Sequence, residues 1–462
     1  GYRENNDVDY KISNAFVQWQ PTQNLGFQAE LGQRDDNIGD LTTEFGANTF
    51  SDTTREISES ETHRVSMKYQ SDSGTHFVLN VTDRNESNIA DDTLALPNLT
   101  IDFANDEDIK SNQVELQLSH KFSFTTLRGG LRSSELNSAG TSSSYYKEFD
   151  YLDLTKTNSH KSIKQAYLYS DISTLSDSLL FTIGTEYNAA HHSIQLGEEQ
   201  QIMSNDEDKK IYPKIGLIWK ATPHLKVRTA FFESISMASQ ISWSLTPTHI
   251  AGFAQIFDQY NSGTKSSTKT IGSTFTVSNK SNVGFDILMQ NLSVPFFNSL
   301  NTIKSDMQHN VATTYFDYLA TKKMSAHFEF SMEEINRYLD TSNPFTLYPS
   351  SIRNNTLTIG LSYQLTGTAF LKLEGQSIGQ QYSTESVPSL GIASEQFSEQ
   401  MNILNASLEV DLPNMPGKIK LIGNNLLDAQ FSFADLGLMY SAPSRQELSP
   451  ERALSLNLEI NL

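Results

Sequence analysis

The sequence contains no cysteine, which excludes disulfides and thiolate metal sites and leaves packing and hydrogen bonds to hold the fold. No apolar run comes near the roughly 20 residues that a membrane-spanning helix needs. Positive charge is scarce: 34 Lys and Arg stand against 54 Asp and Glu, for a formal net charge of -20. A phosphate-binding surface needs a basic stripe, so a nucleic-acid partner is excluded. No signal-peptide pattern opens the chain, which reads as a mature protein or a fragment. No Gly-x-Ser-x-Gly elbow or comparable local signature of a nucleophile, base, metal centre or cofactor is visible, and no enzymatic activity or cofactor is expected.

What is present is alternation. The last stretch, Leu-Ser-Leu-Asn-Leu-Glu-Ile-Asn-Leu, places Leu454, Leu456, Leu458, Ile460 and Leu462 on one face of a strand and polar residues on the other. In an outer-membrane barrel such a strand closes the wall, apolar to lipid and polar to the lumen. A polar overall composition is compatible with this, because only alternate residues of each strand need be apolar.

The same pattern recurs along the chain as paired runs. Ile215, Leu217 and Trp219 lead through Ala221-Thr222-Pro223-His224 to Leu225, Val227 and Phe231. Leu357, Ile359, Leu361 and Tyr363 similarly precede Ala369, Leu371 and Leu373. Short turns alternate with long polar segments such as Asp35 to Ser60, an asymmetry that matches short periplasmic turns and long extracellular loops. A soluble sandwich has no reason to place every long loop at one end. The fold expected is therefore all-β: a transmembrane antiparallel outer-membrane β-barrel filling residues 1–462, about 19 strands of a total of 20–22, the remainder lying upstream with any plug or repeat domain. Trp19, Tyr69, Trp219 and Tyr363 fall near the short-turn ends, where membrane-interface aromatics belong, although aromatics are common in any strand.

Several clusters invite a chemical reading and do not sustain it. Asp102, Asp106, Glu107 and Asp108, and again Asp206, Glu207 and Asp208, read as solvated acidic loops, since neither has the glycine spacing of a calcium loop. His191 and His192 are adjacent and point to opposite faces of a strand. The segment from Ile235 to Ser267 is different, because it is partly apolar. Within it Trp243, His249, Phe253, Phe257 and Asp258 form a candidate pore or ligand loop. Two readings stand: a loop folded inward to constrict a lumen, or one with its own small core.

Three stretches resemble the barrel of TonB-dependent receptors. They are Gly1-Tyr2-Arg3-Glu4-Asn5-Asn6-Asp7, Tyr212-Pro213-Lys214-Ile215-Gly216-Leu217-Ile218-Trp219 and Gly423-Asn424-Asn425-Leu426-Leu427-Asp428-Ala429-Gln430-Phe431. Leu245 to Lys265 is similar to a related group in which such a barrel follows tetratricopeptide repeats. The resemblance implies a Gram-negative outer-membrane conduit in contact with lipid, inserted by the barrel-assembly machinery, and binding or passing a solute. It implies TonB as a partner only with a plug upstream; no plug or TonB box is visible, and the usual terminal aromatic is Leu462 here. The alternatives are an export or scaffold barrel attached to periplasmic repeats and a surface β-rich adhesin.

Overall fold

The computed structural model describes residues 5, 7–40, 51–96, 99–174, 178–197, 201–236, 244–255, 263–297, 302–338, 349–384, 396–412, 416–429, 432–433, 447–448 and 452–460. Ten strands come first: β1 (Val8–Thr22), β2 (Leu25–Ile38), β3 (Arg55–Gln70), β4 (Thr75–Leu96), β5 (Leu99–Lys121), β6 (Thr125–Tyr146), β7 (Tyr151–Ser173), β8 (Leu179–Leu196), β9 (Gln201–Lys220) and β10 (Leu225–Ile235). A two-residue hairpin follows, β11 (His249–Ile250) and β12 (Phe253–Ala254). The wall resumes with β13 (Lys265–Ser278), β14 (Ser281–Phe297), β15 (Thr302–Thr321), β16 (Met324–Tyr338), β17 (Pro349–Gln364), β18 (Ala369–Thr384), β19 (Gln396–Asp411) and β20 (Gly417–Asn424). The short pair β21 (Ser432–Phe433) and β22 (Glu447–Leu448) precedes β23 (Ala453–Ile460).

Nineteen of these form one antiparallel sheet in which each strand pairs with the next along the chain. Among the described residues β1 pairs only with β2, and β23 only with β20. Both edge strands are exposed along their whole length and both run toward the short turns.

The hydropathy is inverted relative to a water-soluble sheet. Along β9, Ile211, Ile215 and Trp219 are 63%, 54% and 47% exposed, whereas Tyr212 and Lys214 between them are each 1% exposed. The same phase runs through neighbouring strands by register: Ile215 faces Ile183 and Phe231, and Phe275 faces Val283. The outward face is thus a belt of large apolar side chains, far larger than the few hundred Å² that a water-soluble surface tolerates. The inward face carries Gln113, Glu115, Asn188 and Lys214, all buried. Apolar-out and polar-in is the organisation of a lipid-embedded barrel wall.

Trp19, Tyr69, Trp219 and Tyr363 all lie on the outward face beside the short turns, and Trp19 stacks on Phe27 with ring centroids 5.6 Å apart. In β23, Leu454, Leu456 and Leu458 stand opposite Gly423, Leu421 and Ile419, and Ile460 opposite Gly417. Leu462 lies outside the described residues.

The polar segments correct one sequence expectation. Asp102, Asp106, Glu107 and Asp108 are on β5 and Asp206 to Asp208 on β9, not in loops. β5 and β7 have 23 residues each, about 75 Å at the usual rise per residue. A tilted crossing takes only about 9–11 residues. The wall therefore continues past the lipid as a tall sheet, its ladder intact up to Leu96↔Leu99 and Tyr146↔Tyr151. Out there both faces meet water, so apolar alternation vanishes while backbone pairing persists.

A lumenal strap as the candidate functional site

The connection between β10 and β13 does not stay outside the wall. Residues 244–255 turn back and pack on the inward faces of β5, β7, β9 and β10. Three anchors hold them. The first is Glu115, fully buried on β5. Its carboxylate accepts the Leu245 backbone N–H at 3.0 Å, the Ser244 hydroxyl at 3.2 Å and the Tyr167 hydroxyl at 3.2 Å. Arg132 stands directly opposite on β6. Gln117, one inward position along, donates to the Leu245 carbonyl.

The second anchor is apolar. Ile250 is wholly buried in a cluster with Tyr167, Tyr169, Ala230, Phe232 and Phe253. An aromatic and aliphatic knot on a lumenal wall departs from the polar rule and exists because the hairpin covers it. Room for it comes from Gly216: a Cβ there would sit 2.7 Å from Ile250 Cγ2 and 3.0 Å from Ala251 Cβ. The hairpin reverses at Ala251 and Gly252, whose φ values are 50° and 84°. Gly252 takes that left-handed conformation without steric cost.

The third anchor is mixed. The Arg228 guanidinium lies 4.7 Å from the Phe253 ring centroid and donates to Asp286 at 2.6 Å. Gln255 donates to the Tyr169 hydroxyl at 3.2 Å and also to the Pro247 carbonyl. Tyr169 in turn donates to Glu186, which pairs with Lys214 at 3.3 Å. Lys214 also donates to the Glu233 carbonyl at 2.6 Å and the Ser234 hydroxyl at 2.8 Å. A chain of polar contacts thus links the strap to four strands of the wall.

Beside the strap lies a cavity of about 470 Å³, lined by Gln18, Gln28, Arg64, Ser66, Asn80 and Leu245. Arg64 is bridged to Glu30 at 3.1 Å. Leu25, Phe27, Met67 and Val78 line it as well, so amide, hydroxyl and cationic groups stand among apolar side chains, the mixed lining of a small-molecule site.

Of the residues singled out in the sequence, Phe253 is buried in the knot and His249 is exposed at the start of the hairpin, where its Nδ1 lies 2.8 Å from Thr248 Oγ1. Trp243, Phe257 and Asp258 lie outside the described residues. Glu115, Gln117, Arg228 and Lys214 carry the anchoring and were not flagged by sequence. The only trace they leave is a charge or amide in the polar phase of an alternating strand, as in Val114-Glu115-Leu116. His191 does not meet His192: its ring neighbours that of His160, with centroids 5.9 Å apart. Among the described residues no group of three metal-ligating side chains is assembled.

No family model matches the sequence, and no curated protein matches it. Solved structures do. The copper transporter OprC superposes with a TM-score of 0.72 at 12% identity, over 100% of this chain and 73% of that one. The ferripyoverdine receptor of the outer membrane of Pseudomonas aeruginosa gives 0.71 at 10% identity, over 98% and 65%. BauA, the ferric preacinetobactin receptor from Acinetobacter baumannii, gives 0.68 at 10%, over 98% and 72%. The chain thus spans 65% to 73% of these proteins' lengths. At such identity the likeness is one of fold. The class of fold is settled by it: this is an all-β barrel wall of the outer-membrane receptor type.

Proposed function

We propose that this chain is the wall of a TonB-dependent receptor-like transport barrel in the outer membrane of a Gram-negative bacterium, and that residues 244–255 are the part of it that meets the solute. The observation that carries this reading is the strap itself. A purely structural barrel or adhesin has no use for a hairpin drawn into the lumen and tied to a buried carboxylate. A conduit does, because a constriction with polar groups beside it selects what passes. The cavity next to Leu245, lined by both polar and apolar side chains, gives the solute a resting place. The names of the structural neighbours (a copper transporter, ferripyoverdine and ferric preacinetobactin receptors) make ferric chelates the first cargo class to try.

The test is flux through proteoliposomes. Replacing residues 246–254 by a Gly-Ser linker should accelerate entry of a ferric chelate several-fold over the unaltered chain. Equal flux would remove the strap from the pathway, and no flux in either form would overturn transport. An export barrel would instead show no chelate binding in the lumen, and an adhesin would lose the heat-modifiable gel migration of a closed barrel.

A further inference from the structure

The two histidines that adjoin in sequence are not the two that meet in space. His191 on β8 stands opposite Ser162 of β7, and His160 of β7 opposite Ser193, so His160 and His191 are diagonal neighbours on one face. That face is the outward one: His191 keeps the phase of the exposed Ile183 and Tyr187, and His160 that of the exposed Leu168. His192 has the opposite phase. The two rings lie with centroids 5.9 Å apart and planes inclined by 53°. On β6, Asn137 is the direct partner of His160, and its Oδ1 accepts the His160 Nδ1–H at 2.7 Å. On the other side, Glu207 of β9 stands directly opposite His191. A row of Asn137, His160, His191 and Glu207 thus crosses four strands. It lies on the tall sheet beyond the lipid, because Glu207 is a dozen residues along β9 from Trp219 at the short-turn end, and a tilted crossing takes about 9–11.

We infer that His160 and His191 form a site for a divalent transition-metal ion, Zn²⁺ or Cu²⁺, that clasps β7 to β8 outside the membrane, with Glu207 as a third ligand. The first support is spacing. With metal–nitrogen bonds of about 2.0–2.1 Å, two imidazoles on one ion hold their centroids roughly 4.5–6.5 Å apart, a range this pair already meets. The second is the tautomer. The bond to Asn137 keeps the His160 proton on Nδ1 and leaves the Nε2 lone pair for an ion. A metal-binding histidine is held in the same way, its other N–H donated to an oxygen. The third is Glu207, whose carboxylate is bridged to Lys209 at 2.6 Å with both side chains more than half exposed. Such a surface pair is worth little, so the carboxylate turns from Lys209 to an ion at small cost. Water completes the coordination. Two imidazoles with one carboxylate select zinc or copper over calcium and magnesium, which take oxygen ligands. The clasp serves a stretch of wall where both faces meet water and no apolar side is packed. It lies on the outside of the sheet, apart from the strap and the lumen.

The inference rests on strand register and not on transport, so it is read by metal binding alone. The full chain in detergent micelles, free of any affinity tag, is titrated with zinc chloride by calorimetry and with copper(II) chloride by electron paramagnetic resonance. At one equivalent, copper should show superhyperfine splitting from two imidazole nitrogens. His160→Ala and His191→Ala should each weaken zinc binding about tenfold or more, since even a partner behind the ligands is typically worth that much. Each should also remove one nitrogen from the copper splitting. His192→Ala, on the opposite face, should leave affinity and spectrum unchanged, and calcium chloride should not compete. Heat-modifiable migration identifies any variant that has failed to fold. Equal loss in His191→Ala and His192→Ala would mean diffuse imidazole binding and overturn the proposal. So would zinc affinity and a copper spectrum that survive replacement of His160 and His191 together.

Discussion

The backbone N–H of Leu245 donates to the carboxylate of Glu115 across 130 residues of chain, at 3.0 Å. That bond fixes where the strap enters the lumen, and the same carboxylate holds Ser244 and Tyr167. Removing it leaves a backbone N–H and two hydroxyls to find other partners. We predict that Glu115→Ala releases the entry of the strap at a cost of about 1.5–3 kcal/mol, the range for hydrogen bonds to a charged group. Limited proteolysis should then cut within residues 244–255, where the wild type resists. Wild-type resistance in the variant would show that the apolar knot alone holds the strap.

Gly216 offers a complementary perturbation from beneath. A side chain there meets Ile250 and Ala251 before it meets the wall. Gly216→Val should expel the hairpin while leaving the 19-stranded ladder and its heat-modifiable migration intact. Faster solute flux with unchanged circular dichroism is the expected pair of readings. Unchanged flux would argue that the hairpin shifts without leaving.

The lipid-facing phase is testable on β17, away from the edges. Ile359 points outward between Phe328 and Gly375, whereas Thr358 points inward between Glu329 and Gln376. Ile359→Arg should destabilise the barrel by about 2–4 kcal/mol if it lies at the bilayer midplane. Thr358→Arg should cost little, since Glu329 is there to receive it. Reversible unfolding from lipid vesicles measures both, and equal effects would refute the assignment of faces.

Lys214 and Glu186 are 1% and 7% exposed at their side chains and pair at 3.3 Å. Breaking a buried pair from one side is expected to cost about 3–5 kcal/mol, because the remaining charge is left uncompensated. Lys214→Met should therefore be severe. Lys214→Met with Glu186→Gln should recover much of the loss, and a double-mutant cycle in the same unfolding assay quantifies the coupling. Additive losses would mean that Lys214 is held by the Glu233 carbonyl and Ser234 rather than by Glu186.

The wall was legible in the sequence where its two faces differ in solvent. Ile215, Leu217 and Trp219, or Leu357, Ile359 and Leu361, alternate because lipid lies on one side and the lumen on the other. Beyond the lipid that contrast ends, which is why Asp102 to Asp108 read as a loop and are a strand. The strap announced itself by being apolar where a connection should be polar, so His249 and Phe253 were visible. Its anchors were not. Glu115 and Lys214 look like any lumenal residue of an alternating strand, and their partners lie far off in sequence. Gly216 stood in the Tyr212 to Trp219 stretch only as part of a resemblance, and its purpose, the space it leaves for Ile250, is visible only in the fold.

A sheet in which every neighbour is antiparallel alternates direction strand by strand, so nineteen strands give its first and last the same sense. β1 and β23 consequently cannot join each other without a parallel ladder. An antiparallel completion of the ring must interpose an odd number of strands, one or three and never two. The rim thus carries a parity rule: it distinguishes a lone strand or a three-stranded meander, which fit, from a single added hairpin, which does not.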